Sequence, residues 1–171
     1  MPNNLHQNVI RWVASFAPSL LALFLLAACG AQREAAPAID LTLLSGAKHS
    51  AAQFKGKVSL VNFWATSCAS CVKEMPDIVK TYERFAPKGF DVLAVAMSYD
   101  PPNYVVNYVE TRKLPFKVAI DHQGAAAKAF PDVKVTPTSF LIDKQGRIAK
   151  RWVGEPDFAA LGVEIERLLA E

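Results

Sequence analysis

The sequence predicts an α/β fold in which one mixed β-sheet carries helices on both faces. Two apolar runs rich in strand-forming residues, 58–65 and 90–97, alternate along the chain with segments whose apolar residues recur at helical spacing. Two further strand patterns, 138–142 and 147–153, are joined by residues 143–146, which contain a glycine and are typical of a hairpin connection. Strands that are separated by helices usually pair in parallel, whereas the two strands of a hairpin pair antiparallel. The sheet should therefore contain parallel and antiparallel strand pairs.

The individual elements follow from the apolar period and from breaking residues. After residues 58–65, apolar side chains recur every three or four positions up to Phe85, and Gly89 then ends the pattern, which indicates a helix. A second helix begins at Pro101, because proline is tolerated in the first turn. In chain order the predicted elements are a strand at 41–44, a strand at 58–65, a helix at 70–85, a strand at 90–97, a helix at 101–111, a strand at 117–120, a helix at 124–130, strands at 138–142 and 147–153, and a helix at 161–169 that is entered near Pro156 and Asp157.

The N-terminal segment has the pattern of an export signal. Its first ten residues are polar, the stretch 12–28 is apolar, and Leu26-Ala27-Ala28 stands directly before Cys29. Small residues before a cysteine, after an apolar segment, resemble a bacterial lipoprotein signal, in which the cysteine is lipidated and becomes the first mature residue. We therefore expect a signal peptide over residues 1–28, a lipidated tether over 29–38 and a single domain over 39–171.

An uncleaved signal anchor is the alternative for this segment, since residues 9–28 approach the roughly 20 residues that a membrane-spanning helix needs. Both interpretations place the remaining chain outside the cytoplasm and tether it to a membrane. Gly30 follows the cysteine where an Asp would be expected for inner-membrane retention, which resembles outer-membrane sorting in a Gram-negative host. The expected location is the periplasmic side of a bacterial membrane, held there by a lipid anchor.

The charge pattern does not indicate a nucleic-acid-binding function. The formal net charge is only +3 at pH 7 for 171 residues. The basic residues form no run, and they alternate with acidic residues along the predicted helices. Such a pattern is typical of an ordinary solvated surface, so no nucleic-acid partner is expected.

The cysteines indicate redox chemistry. If Cys29 is lipidated, the mature chain keeps only Cys68 and Cys71, separated by two residues. A disulfide that closes so short a loop stabilises the fold by about 2 kcal/mol, against about 4–5 kcal/mol for a hundred-residue loop, so reactivity explains the pair better than stability does. At the start of the helix after strand 58–65, the helix dipole and free N–H groups would stabilise a thiolate. Cys68 is expected to be the attacking nucleophile and Cys71 the resolving thiol.

A metal half-site is the alternative interpretation of the two cysteines. His49 and His122 formally complete a Cys₂His₂ set, but His49 precedes Cys68 by 19 residues and His122 follows Cys71 by 51. Neither spacing resembles a compact zinc finger. We therefore assign no metal ligand, and we expect no cofactor.

Two segments resemble the TlpA/ResA branch of thioredoxin-like proteins. Residues 63–76 (FWATSCASCVKEMP) are similar to the active-site segment of that family, and residues 135–143 (VTPTSFLID) are similar to its cis-proline strand. The resemblance extends from about residue 39 to the C-terminus. It implies a thioredoxin-like fold and an oxidoreductase that reduces the disulfides of protein clients. It also implies a cis bond before Pro137, substrate binding by the backbone at Thr136 and Pro137, and a membrane thiol reductant of the DsbD/CcdA type that restores the dithiol.

The same resemblance gives Glu74 a role. Many thioredoxins place a buried Asp six residues before the first cysteine, where this chain has Asn62, which cannot titrate. In the TlpA/ResA branch a later Glu is implicated near the dithiol, and Glu74 stands three residues beyond Cys71, on the same helix face. Proton transfer or thiol pKa tuning is therefore expected for Glu74. The alternative is an ordinary exposed helix carboxylate.

Two other functions on the same fold stay open. A peroxidase of the peroxiredoxin type would normally have Thr three residues before its peroxidatic cysteine, and this chain has Ala65 there. A non-enzymatic copper chaperone would hold Cu(I) between two cysteines and a histidine. Such chaperones resemble this chain, but they generally separate their cysteines by three residues and place the histidine near the later hairpin. This chain has two intervening residues and no histidine after His122.

Overall fold

The computed structural model describes residues 32–131 and 133–171, and the predicted signal segment and Cys29 lie outside that range. The strands are β1 (Asp40–Thr42), β2 (Lys48–Ser50), β3 (Val58–Trp64), β4 (Phe90–Ala96), β5 (Lys117–Ile120), β6 (Thr138–Ile142) and β7 (Ile148–Val153). The helices are α1 (Ala69–Phe85), α2 (Pro102–Arg112), α3 (Ala125–Ala129) and α4 (Phe158–Ala170). None of the helices in this part of the chain is long and apolar enough to cross a membrane.

The central sheet is mixed, as the sequence predicted. Its five strands lie in the order β5-β4-β3-β6-β7. The strand β3 pairs in parallel with β4 and antiparallel with β6, and all seven of its residues are buried. The continuous apolar run at 58–65 therefore marks the strand at the centre of the sheet.

Alternate residues of the sheet face two separate cores. Leu60 and Trp64 of β3 pack with side chains of α1, α2 and α4 on one face. Val61 and Phe63 pack on the other face, against β1, the 3₁₀ helix at Ala51–Phe54 and the short helix α3. Asn62 has the same parity as Leu60 and Trp64, so its amide points toward the face that α1 covers.

The N-terminal hairpin was not fully predicted. The strand β1 was expected, but its partner β2 (Lys48-His49-Ser50) was not, because these residues have little intrinsic strand preference. Pairing with β1 and burial of His49 against Phe54, with ring centroids 5.4 Å apart, hold the segment in place. Tertiary packing thus decides the conformation here.

The folded unit also begins earlier than residue 39. It starts at Arg33, where the sequence suggested a tether. The backbone N–H of Ile148 donates to the Glu34 carbonyl at 2.7 Å, and Ala35 forms a bridge with Arg147. Part of the predicted tether is therefore docked beside the start of β7.

Candidate active site

The two cysteines lie where β3 gives way to α1. Cys68 is the N-cap of α1, and the backbone N–H of Cys71 donates to Cys68 Sγ at 3.2 Å. The two residues form a disulfide with their Cα atoms 5.2 Å apart. A sulfur at this position accepts a free N–H of the first helical turn, and the same donor would stabilise a thiolate after reduction.

The two sulfurs differ in exposure. Cys71 is completely buried in the core beneath α1, whereas Cys68 is half-buried. The neighbours of Cys68, Ser67 and Ala69, are exposed, and Ser70 Oγ lies 3.4 Å from Cys68 Sγ. The disulfide of another protein can therefore approach Cys68. Cys71 can react only with a sulfur that is already within the site.

The proline segment lies at the same end of the sheet. The Thr136–Pro137 peptide bond is cis, the conformation that the family resemblance implied. Thr138 of β6 pairs with Phe63 of β3, so Pro137 adjoins the end of the strand that leads to the dithiol. The Pro137 carbonyl accepts a 2.8 Å hydrogen bond from the N–H of Gly154. The role of Thr136 and Pro137 in substrate binding stays a prediction.

Glu74 is buried and lies in a three-residue polar network. Its side chain is 0% exposed, which rules out an ordinary surface carboxylate. Asn62 Nδ2 donates to Glu74 Oε1 at 2.9 Å and also lies 2.9 Å from Ser139 Oγ. The network joins α1, β3 and β6, because Asn62 and Ser139 are directly opposite each other in the β3–β6 register. Among the described residues, Glu74 Oε2 and Asn62 Oδ1 have no hydrogen-bond partner.

This environment favours a protonated Glu74. Burial raises the pKa of Glu74 to about 7, although the hydrogen bond from Asn62 acts in the opposite direction. The negative charge of Glu155 raises the pKa further. Glu155 itself forms a 2.8 Å ion pair with Lys73 on the exposed side of α1. A carboxyl group with this pKa can exchange a proton near neutral pH.

A buried aspartate that sequence reasoning missed fixes the loop before Cys68. Asp100, which is 2% exposed, accepts hydrogen bonds from both the N–H and the hydroxyl of Thr66, each at 2.6 Å. It follows β4, and the carboxyl ends of parallel strands share one edge of a sheet. Only that placement could have suggested its contact with the loop after β3.

The two histidines of the metal alternative differ in exposure. His49 is buried beneath the N-terminal hairpin, and burial lowers its pKa. His122 is exposed in the loop after β5. Among residues 32–131 and 133–171, no three His, Cys, Asp or Glu side chains are grouped so that they could hold a metal ion.

Comparisons with known proteins agree on the chemistry of this site. The Redoxin family profile matches residues 31–162. The thiol-disulfide oxidoreductase ResA of Bacillus thuringiensis subsp. konkukian is 39% identical over 121 residues, which are 70% of this chain and 68% of the relative. ResA of Bacillus subtilis is 31% identical over 115 residues, 67% of this chain and 63% of that protein.

Solved structures give the same result for the fold. A candidate thioredoxin from Neisseria meningitidis is 46% identical, with a TM-score of 0.75 over 82% of this chain and 93% of its own. A thiol:disulfide interchange protein of the thioredoxin family from Chlorobium tepidum is 28% identical, with a TM-score of 0.72 over 82% of this chain and 99% of its own. The described domain therefore has a thioredoxin-like fold.

Proposed function

Because this chain belongs to the Redoxin family and is a thiol–disulfide oxidoreductase of the TlpA/ResA type, we propose that it works outside the cytoplasm as a membrane-tethered reductant of protein disulfides. The observation that carries the proposal is the asymmetric Cys68–Cys71 pair at the start of α1 with Glu74 buried one turn further along. An accessible sulfur, a protected sulfur and a buried carboxyl group suit the two successive steps of dithiol exchange.

In the first step, the Cys68 thiolate attacks one sulfur of a client disulfide. A Cys68–client disulfide forms, and the other client sulfur leaves as a thiolate that takes up a proton. The N–H of Cys71, which contacts Cys68 Sγ in the oxidised form, offers the hydrogen bond that keeps the attacking sulfur ionised. Thr136 and Pro137 would bind the extended client backbone at this stage.

In the second step, Cys71 loses its proton and attacks Cys68 Sγ. The Cys68–Cys71 disulfide forms and the client leaves as a second thiol, so the client gains two electrons and the enzyme loses two. The buried Cys71 has little access to solvent bases. We assign the transfer of its proton to Glu74, one helical turn away, whose pKa of about 7 suits it to accept a proton at neutral pH.

The cycle closes when a membrane thiol reductant of the DsbD/CcdA type reduces the Cys68–Cys71 disulfide. Lipidation at Cys29 would hold the domain on the periplasmic side of a bacterial membrane. The support for this location is the small-residue pattern before Cys29 in the sequence. Labelling with a radioactive fatty acid tests it: the full chain should incorporate label, and Cys29→Ala should not.

Trapping tests the reaction itself. Cys71→Ser leaves Cys68 able to attack but removes the thiol that resolves the mixed disulfide. After expression of the full chain, we expect covalent client adducts on non-reducing gels that disappear on reduction. Cys68→Ser is the matched control and should form none. Equal adducts in the two variants, or failure of the pre-reduced wild type to reduce insulin, would overturn the proposal.

A further inference from the structure

A groove of about 680 Å³ opens beside the residue that precedes Cys68. Thr66 and Ser67 form one wall, next to the reactive sulfur. One side of α2 forms another wall, and Tyr99 brings the groove next to the proline segment, because its hydroxyl lies 3.4 Å from Thr136 Oγ1. The groove therefore adjoins both parts of the site that a client must reach.

The wall formed by α2 is a single helical face. Its residues recur at intervals of three and four positions, which aligns them along the helix axis. From Tyr104 to Arg112 the axis rises about 12 Å, the length of roughly four residues of extended chain. The residues of this face are Tyr104, Asn107, Tyr108, Thr111 and Arg112.

Large apolar side chains are exposed around this opening. Tyr99 is 60% exposed and Tyr104 is 59% exposed, both on the groove. Val135 and Val153 are also exposed, the first directly before Thr136 and the second paired with Thr138. Exposed aromatic and aliphatic side chains that border a reactive group are typical of a protein-binding surface.

The far end of the groove is positively charged. Arg112 is exposed, its guanidinium lies 5.9 Å from the ring centre of Tyr108, and none of the ion pairs of the described residues includes it. The carboxylate that lines the same groove, Asp100, is buried and bound by Thr66. Nothing on this wall neutralises Arg112, so an acidic group would complement it.

We propose that this groove binds the client segment that flanks the attacked cysteine, and that it selects an acidic side chain at the Arg112 end. The client backbone runs along α2, its side chains pack on Tyr99 and Tyr104, and a carboxylate about four residues beyond Tyr104 reaches the guanidinium. This inference rests on the proposed function, because it names the kind of disulfide that Cys68 receives.

Synthetic peptides test the charge preference. Each carries one cysteine as a mixed disulfide with thionitrobenzoate, and Glu or Lys stands about five or six residues from the cysteine, on the N-terminal side in one pair and on the C-terminal side in the other. We expect one pair to show kcat/KM about fivefold higher for Glu than for Lys, the effect of one exposed ion pair. Arg112→Glu should invert that preference.

Two further variants separate the groove from general effects. Lys128→Glu makes the same charge change on an exposed helix outside the groove and should keep the wild-type preference. Tyr104→Ala should lower kcat/KM about fivefold for both peptides of the preferred pair without changing their ratio. Reaction of reduced Lys128→Glu with a small aromatic disulfide should match wild type, because Lys128 lies outside the groove.

The possible results distinguish the two proposals. Inversion by Arg112→Glu but not by Lys128→Glu supports the acidic subsite. Equal rates for Glu and Lys peptides in both pairs, or the same loss of preference in both charge variants, overturns the subsite and leaves dithiol exchange intact. Failure of the wild type to reduce any peptide overturns the proposed function and the subsite together.

Discussion

Two carboxyl groups, Glu74 of α1 and Asp143, are both buried, and they lie near opposite ends of β6. Both side chains are 0% exposed. Glu74 shares its network with Ser139, near the start of β6, and Asp143 follows directly after the last residue of β6. Nevertheless, the pKa of Glu74 is raised and the pKa of Asp143 is lowered. Burial alone therefore does not determine the protonation state of a carboxyl group in this fold.

Asp143 is surrounded by donors and cations. Burial would raise the pKa of Asp143, but the backbone N–H of Arg147 and the guanidinium groups of Arg33 and Arg147 lower it below its usual range. These guanidinium contacts are 3.0 Å and 2.9 Å long, and the N–H of Gln145 adds another hydrogen bond. Asp143 is therefore charged, and it holds the hairpin turn and the N-terminal segment together.

Glu74 has one amide donor and no cation among its hydrogen-bond partners in the described part of the chain. Its nearest charged neighbour on α1, Lys73, points to Glu155 instead. The comparison separates a structural carboxylate, whose charge is compensated, from a carboxyl group that can take up and release a proton beside a thiol.

The largest expected effect on stability comes from substituting Asp143. Asp143→Ala leaves the Arg147 guanidinium and the turn N–H groups without this acceptor and leaves Arg33 paired with Glu171 alone, so the free energy of unfolding should fall by about 3–5 kcal/mol. Urea denaturation at pH 7 measures it. Asp77→Ala, which removes an exposed ion pair with Lys80, is the matched control and should cost less than about 1 kcal/mol. Equal losses in the two variants would remove the structural role of Asp143.

Glu74→Gln should stabilise the protein, in contrast to Asp143→Ala, and it should do so only above about pH 4.5. The folded pKa of Glu74 is about 7, above its ordinary value of 4.5, so there is no cost of burying a charge while the carboxyl group is protonated in both the folded and the unfolded state. Stability is then lost as pH rises from about 4.5 through 7, by up to about 3 kcal/mol. Oxidised Glu74→Gln should match wild type at pH 4 and unfold at higher urea at pH 8.

The reverse pH dependence applies to Asp143. Its pKa is lowered by folding, so its contribution is present above the unfolded pKa and is lost as pH falls through the folded value. The result against this distinction would be a constant difference in free energy of unfolding between wild type and Glu74→Gln from pH 4 to pH 8. It would show that Glu74 has the same pKa in the folded and unfolded states.

The same substitution should slow the second chemical step. Reduced protein reacts with dithiobis(nitrobenzoate) in two phases, as Cys68 attacks and then Cys71 resolves, and each releases one coloured thiolate. The slower phase should accelerate through pH 7 in wild type as Glu74 ionises. In Glu74→Gln that acceleration should be absent and the rate at pH 8 about a hundredfold lower, the smaller end of the range for general base catalysis.

The first phase serves as the internal control in that experiment. It reports attack by Cys68, whose N–H donor is unchanged by the substitution. A second phase that keeps its wild-type pH dependence in Glu74→Gln would exclude Glu74 from the proton transfer, whatever its pKa.

The sequence was sufficient for the elements that carry the dithiol. Continuous apolar residues identify β3, and helical spacing after Cys68 identifies α1, because period and burial are local properties of the chain. The position of Cys68 at the helix start follows from these two. The burial of Glu74 does not, since it depends on the side of α1 that packs on the sheet.

Contacts across the sheet could not be predicted in the same way. Asn62 meets Ser139 only because of the β3–β6 register, and 77 residues separate them. Likewise, Arg33 lies in a segment whose small and polar residues are typical of a tether, yet it reaches Asp143 and Glu171. Both contacts depend on tertiary structure, and no local pattern marks them.

The smallest expected effect comes from removing the hydrogen bond that Asn62 donates to Glu74. The hydrogen bond from Asn62 lowers the pKa of Glu74, so Asn62→Leu, which removes the donor at similar volume, should raise that pKa. The pH midpoint of the second thiolate-release phase should move upward accordingly. Ser139→Ala keeps the direct donor to Glu74 and should move the midpoint less. A downward shift in Asn62→Leu would mean that Asn62 acts on the thiols by another route, since losing a donor cannot favour the carboxylate.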